Sequence, residues 1–316
     1  MQKTFNSIVS KGVKDNTYKF ALTKFLLDYS NKEPINGAEI IEYSTIAEKF
    51  LEYYWFQECK FKLKQDFKVE RMPVVIRIIR KYCGEEYISE SYENYFKKKK
   101  ALKDTMIKEI EQGCLQDVIP RLQSKDNFSL YKHFHTLNDT GKKYRLPPSG
   151  KRYIELTEES HIYFKDNYNE LSKLLIFDWA KFLERTNFTP MLISKIEGLG
   201  LYKRKSLTKY RKILLMQMDA KCFYCNSDVE DKNIEIDHFI PWSYVYEDAI
   251  WNLVMSCKDC NGEKSDRLAP KACVLKIKDR NNRYGFNIYN RDIDEYYEAC
   301  LHSGFTRLDT LSCEKV

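Results

Sequence analysis

Glycine and proline are scarce in this chain, 11 and eight in 316 residues. Neither a Walker sequence nor a glycine-rich dinucleotide loop occurs, so nothing points to the phosphate cradles that nucleotide-dependent enzymes build from such loops. No apolar run reaches 18 residues, which argues against a membrane-spanning helix. No signal-peptide apolar core follows Met1, and the expected location is cytoplasmic. Internal repeats and low-complexity linkers are also missing. Hydrophobic residues make up 43% and aromatics 14%, ample for packed cores, and the length gives a prior of two domains. The ten cysteines, in a reducing compartment, read as metal ligands and reduced thiols.

Cysteine spacing carries the first chemical signal. Cys222-x-x-Cys225 and Cys257-x-x-Cys260 flank a 31-residue insert, and each pair sits beside turn residues: Asn226 and Ser227, then Asn261 and Gly262. Four thiolates from two tight turns satisfy tetrahedral zinc. The alternatives are a redox dithiol or a disulfide framework. A redox site needs one pair and a thioredoxin-like strand–helix–strand setting, which is not evident around Cys222. Cys59, Cys83, Cys114, Cys273, Cys300 and Cys313 lack ligand spacing and read as buried or free thiols.

Inside the insert stands Ile236-Asp237-His238-Phe239-Ile240-Pro241-Trp242-Ser243. Ile234, Ile236 and Ile240 suggest a short strand ending at Asp237 and His238, where Pro241 stops ladder pairing. Neighbours on a strand point to opposite faces, so a bend is needed for both side chains to address one phosphate. A histidine at the end of an apolar strand is by itself usually structural. Beside Asp237, ahead of Asn252 and Asn261 and between two cysteine pairs, His238 reads as catalytic. Trp242 and Trp251 read as core, His133 and His135 as a strand's polar face, and His161 and His302 as isolated.

Together, Cys222-x-x-Cys225, Asp237-His238 with Pro241, Asn252-Leu253 and Cys257-x-x-Cys260-Asn261-x-x-Lys264 resemble the HNH nucleases, the ββα-metal or His-Me finger fold, in their zinc-stapled form. The resemblance spans residues of about 215 to 285 and leaves the first 200 unrecognised. Asn261 stands where the family name has histidine, a tolerated exchange of metal ligand. The resemblance implies that His238 is the general base, suited by an imidazole pKa of about 6.5. It implies that Asp237 and the Asn261 oxygen bind magnesium or manganese, and that zinc is structural. Asn252 joins the catalytic set by hydrogen-bonding across the loop to orient His238, and Lys264 reads as a phosphate contact or a solvated helix residue.

Charge divides unevenly along the chain. Residues 1–221 hold 41 Lys+Arg against 29 Asp+Glu, a net of +12, whereas the chain from Cys222 onward holds 12 against 17, a net of −5. Counterion release from a basic surface supplies most non-specific affinity for nucleic acid. That surface must lie mainly outside the acidic module, and its densest candidate is Leu201–Lys212, where Lys203, Arg204, Lys205, Arg211 and Lys212 interleave with Tyr202 and Tyr210. Lys97–Lys100 is a weaker candidate.

The first 200 residues read as mainly helical. Asp15 or Asn16 caps a helix with Tyr18, Leu22, Phe25, Leu26 and Tyr29 on one face. Thr45 with Glu48 forms a capping box, and a long periodic segment runs from Thr157 to Arg185. Short strands are expected at 128–135, 143–146 and 152–156, the last two joined by Pro147-Pro148-Ser149-Gly150. Helices followed by a hairpin also allow a winged-helix reader. A terminal helix is expected over 292–303.

The expected fold is α+β: a mainly helical domain over 1–200 that positions substrate or regulates, then a zinc-bound ββα-metal nuclease domain over 201–316. The expected activity is metal-dependent phosphodiester hydrolysis in nucleic acid, DNA foremost, in prokaryotic defence or restriction. The alternatives are a nuclease subunit regulated by a protein docked on the N-terminal domain, and a non-enzymatic zinc module that binds nucleic acid. No membrane partner is expected.

Overall fold

The computed structural model describes residues 5, 16–65, 72–84, 88, 90–122, 130–133, 152–197, 206–287 and 292–311. In chain order its elements are α1 (Tyr18–Lys32), β1 (Glu39–Glu42), α2 (Tyr43–Trp55), α3 (Val74–Cys83), α4 (Tyr92–Phe96), α5 (Lys100–Ile110), α6 (Gln116–Leu122), β2 (Tyr131–His133), β3 (Tyr153–Leu156), α7 (Glu158–Asp166), α8 (Tyr168–Leu183), α9 (Leu192–Glu197), α10 (Thr208–Gln217), β4 (Glu235–His238), α11 (Trp242–Val245), β5 (Leu253–Ser256), α12 (Lys258–Lys264), α13 (Ala272–Tyr284) and α14 (Ile293–His302). The class is α+β, with a three-stranded sheet ordered β1-β3-β2 and a two-stranded β4-β5 hairpin. Two compact units result, Met1–Asn187 with Ile196–Gly200, and Phe188–Lys195 with Leu201–Val316.

In the first unit α1 starts where Asn16 Oδ1 accepts the Tyr18 amide at 3.0 Å, satisfying one of the free N–H groups that every helix start leaves. Its buried face meets α8, where Phe20 stacks on Trp179 at 5.8 Å. The expected capping box at Thr45 is not used. Helix α2 begins at Tyr43, whose amide donates to the Arg152 carbonyl at 2.8 Å, so the chain passes straight from β1 into the helix. The long periodic segment is two helices, because Asn167 turns its side chain onto the Tyr163 carbonyl at 2.8 Å and leaves helical geometry. Strands β2 and β3 pair antiparallel, but β3 is also zipped to β1, which was not expected. Strand 143–146, its Pro147–Gly150 turn and His135 lie outside the described residues.

The second unit is built around the hairpin, in which Asp237 faces Val254 and His238 faces Leu253. Tyr224, Phe239, Ile240, Val254, Leu268, Ile277 and Tyr297 form one core, and Leu214 of α10 caps a smaller one with Ile234, Met255 and Phe286. Each such side chain contributes roughly 1.5–3 kcal/mol by burial. Trp242 and Trp251 are buried. Arg280 of α13 holds the turn before β5 by donating to the carbonyls of Leu253 at 2.5 Å and Trp251 at 3.1 Å. Segment Phe188–Lys195 joins this unit: buried Lys195 donates to the Tyr244 carbonyl at 2.6 Å, and the Tyr244 hydroxyl to the Phe188 carbonyl at 2.8 Å. Helix α14 starts at Asp292, whose carboxylate accepts the Asp294 amide at 2.8 Å.

Cys59, Cys83, Cys114 and Cys300 are free thiols as expected, whereas Cys273 is disulfide-bonded; Cys313 lies outside the described residues. Among the described residues no helix is long and apolar enough to cross a membrane.

Candidate active site

Each cysteine pair is presented by backbone hydrogen bonds. In the first turn the Cys222 amide donates to the Ser227 carbonyl, and the Asn226 amide donates to the Cys222 carbonyl, both at 2.9 Å. Asn226 takes a left-handed φ of 59°, which Asn tolerates and which turns the chain after Cys225 toward Ser227. In the second turn Cys257 caps α12 and Cys260 follows in its first turn. The ligand atoms of all four lie within 4.8 Å of one another, with Cys225 Sγ and Cys257 Sγ 3.9 Å apart. Tetrahedral zinc with Zn–S bonds of about 2.3 Å sets its sulfurs about 3.8 Å apart, so the donor set fits that ion. Burial raises the Cys225 thiol, but hydrogen bonds involving Ser227 and the neighbouring cysteines outweigh it and bring it down to about 6. Cys222 and Cys260 are pushed up by burial.

The cysteine cluster lies beside the hairpin, with Asp237, His238 and Asn252 between the two pairs in sequence and Asn261 and Lys264 just after the second. His238 is the last residue of β4, and its Nε2 lies 3.0 Å from Asp248 Oδ1. A carboxylate only accepts, so in the neutral ring this contact assigns the proton to Nε2 and the lone pair to Nδ1. Asp237 points to other partners: its Oδ2 accepts from the Tyr224 hydroxyl at 2.5 Å and pairs with Lys264 Nζ at 3.0 Å. Burial first, and the Asp237 carboxylate second, hold the Tyr224 phenol well above its ordinary range, so it stays a donor. Asn252 is fully buried and clamps residue 240, accepting the Ile240 amide at 2.8 Å and donating to the Ile240 carbonyl at 2.9 Å. Asn261, on α12, donates from Nδ2 to Glu235 Oε2 at 2.6 Å.

Lys264 differs from the sequence expectation. It is neither a phosphate contact nor solvated, since its side chain is 0% exposed and its ammonium also donates to the His238 carbonyl at 2.8 Å. Its helix packs on β4, and burial there requires the Asp237 partner.

Of the basic residues, Lys203, Arg204 and Lys205 lie outside the described residues. Arg211 and Lys212 are on α10, Lys212 exposed and Arg211 half-buried. The same helix touches the site, because the Tyr210 hydroxyl donates to the Asp248 carbonyl. Asp248, Glu235 and Tyr224 are the site residues that sequence reasoning missed. For Glu235 a signal existed: two positions before Asp237, it shares that residue's strand face. For Asp248 none did, because only the loop after α11 returns it to His238.

Residues 222–270 match the model of the HNH endonuclease family. The chain is 33% identical over 106 residues to protein ea31 of Escherichia phage lambda, covering 31% of this chain and 35% of that protein. It is 38% identical over 72 residues to the Septu protein PtuB of Bacillus thuringiensis, covering 21% of this chain and 28% of that protein. The matches therefore span about a third of the length of these relatives. No solved structure matches the chain. Residues 222–270 are thus an HNH endonuclease module, and its four clustered cysteines fit the zinc-stapled form.

Proposed function

We propose that the protein is a metal-dependent endonuclease that hydrolyses phosphodiester bonds in DNA and acts in prokaryotic defence or restriction. One observation carries the reading: within the segment that matches the HNH endonucleases, a carboxylate holds one nitrogen of His238 and leaves the other as an acceptor. His238 takes a proton from the attacking water at Nδ1, and Asp248 stabilises the imidazolium that results. Asn252 keeps the chain after His238 in place by its two bonds to Ile240. Asp237 through Oδ1 and Asn261 through its carbonyl oxygen would hold a divalent cation, since hard oxygen donors suit Mg²⁺ or Mn²⁺. Bound there, the cation supplies positive charge to the scissile phosphate and the departing oxygen. Lys203, Arg204, Lys205, Arg211 and Lys212 grip the nucleic-acid backbone, and the helical unit positions the substrate or receives a protein regulator. Partial likeness to a Septu protein supports the place in defence.

The test incubates the full chain with supercoiled plasmid, linear duplex, single strands and RNA, in Mg²⁺, Mn²⁺ or EDTA. DNA cleavage that needs the metal and disappears in His238→Ala is expected. Turnover by His238→Ala equal to wild type would overturn the reading. Binding without cleavage by the wild-type chain would favour a nuclease subunit that needs a partner.

A further inference from the structure

On β4, Glu235 and Asp237 are two positions apart and share a face; on α12, Asn261 and Lys264 are three apart and share a face. The two pairs meet in order, Glu235 on Asn261 at 2.6 Å and Asp237 on Lys264 at 3.0 Å. The Glu235 carboxylate accepts and cannot donate, so the Asn261 amide must present its NH₂ group to it. The planar amide then sends its Oδ1 the other way, where it has no protein partner among the described residues.

We infer that Glu235 is a positioning residue of the cation site: it locks the Asn261 amide with the oxygen outward and so makes asparagine a dependable oxygen ligand. The inference rests on the nuclease reading above and adds a residue to it. An asparagine free to flip would offer its NH₂ group to a cation in part of the population. A ligand's hydrogen-bonded partner is typically worth about 10- to 100-fold in metal affinity. An aspartate at position 261 offers only acceptor oxygens, with neither an amide nor a tautomer to orient, so its affinity would not need Glu235.

The experiment measures Mn²⁺ binding to the full zinc-loaded chain by calorimetry and by the spin-resonance signal of free Mn²⁺, in a His238→Ala background that removes turnover. Glu235→Gln, of the same shape but able to donate, and Glu235→Ala are each expected to weaken Mn²⁺ binding about tenfold or more, with zinc content and melting temperature unchanged. In Asn261→Asp the further change Glu235→Gln is expected not to weaken Mn²⁺ binding, against the roughly tenfold effect of losing a ligand's partner. Wild-type affinity in Glu235→Gln would overturn the inference while leaving the nuclease reading intact. Equal losses from Glu235→Gln with Asn261 in place and in the Asn261→Asp variant would also overturn it, because Glu235 would then bind the cation itself. Absence of Mn²⁺ binding by the parent chain, with no metal-dependent cleavage by wild type, would overturn both.

Discussion

At the scale of single residues the site depends on which atom of each side chain is already engaged. Asp248 decides the tautomer of His238 through their 3.0 Å contact. Asp248→Asn can donate to Nε2, which moves the ring proton to Nδ1 and removes the base. The single-turnover rate should fall by roughly 10²–10⁴-fold, the range for loss of a general base, while zinc content stays unchanged. Lys264 makes a separate prediction. Lys264→Met leaves the Asp237 carboxylate with only Tyr224 opposite it, and breaking a buried pair costs about 3–5 kcal/mol. Urea unfolding should register that loss, whereas the salt dependence of DNA binding should not change, because the ammonium is sealed from solvent.

Elements explain why these residues can be held at all. A hairpin of two four-residue strands is too small to be stable alone. The four clustered cysteines beside it fit zinc, and a structural zinc bound there would contribute folding free energy directly. Cys222→Ser or Cys257→Ser should therefore unfold the C-terminal unit, seen as lost protection in hydrogen exchange, and elemental analysis should find one zinc per wild-type chain. Arg280 supports the same hairpin from α13. Arg280→Met removes a charged donor from buried carbonyls of Leu253 and Trp251, at about 1.5–3 kcal/mol, with zinc content preserved. Helices were the most legible elements: α1, α8 and α14 follow from apolar periodicity and polar starts. Asn167 escaped notice because its bond back to Tyr163 competes with the helix without breaking the apolar period. Strand β1 escaped because four residues carry too little alternation to register, and its partner lies more than a hundred positions away.

For the whole molecule, the charge split predicts a division of labour in which the acidic stretch from Cys222 onward does chemistry and basic segments before it supply grip. Neutralising Lys203, Arg204, Lys205, Arg211 and Lys212 together should weaken binding to all DNA sequences alike. The salt slope should flatten by roughly one unit per lost phosphate contact. An unchanged slope would refute the role given to these residues. Truncation supplies a second test. Segment Phe188–Lys195 packs within the C-terminal unit, where Lys195 and Phe188 both bond Tyr244. A chain of residues 188–316 should melt at a higher temperature than one of residues 201–316, and lack of any difference would show that segment to be dispensable.

Sequence by itself determined the chemistry available: four soft thiolates at ligand spacing, one imidazole beside a carboxylate, and two asparagines in order. It did so because zinc spacing and strand-end motifs are local, written within a few positions of one another. Tertiary structure decided how that chemistry is wired. Asp248 reaches His238 across ten positions, Glu235 reaches Asn261 across 26, and Lys264 turns inward onto Asp237. Such contacts depend on how a helix lies on a strand, and a charged side chain reads as solvated until the fold shows a buried partner for it.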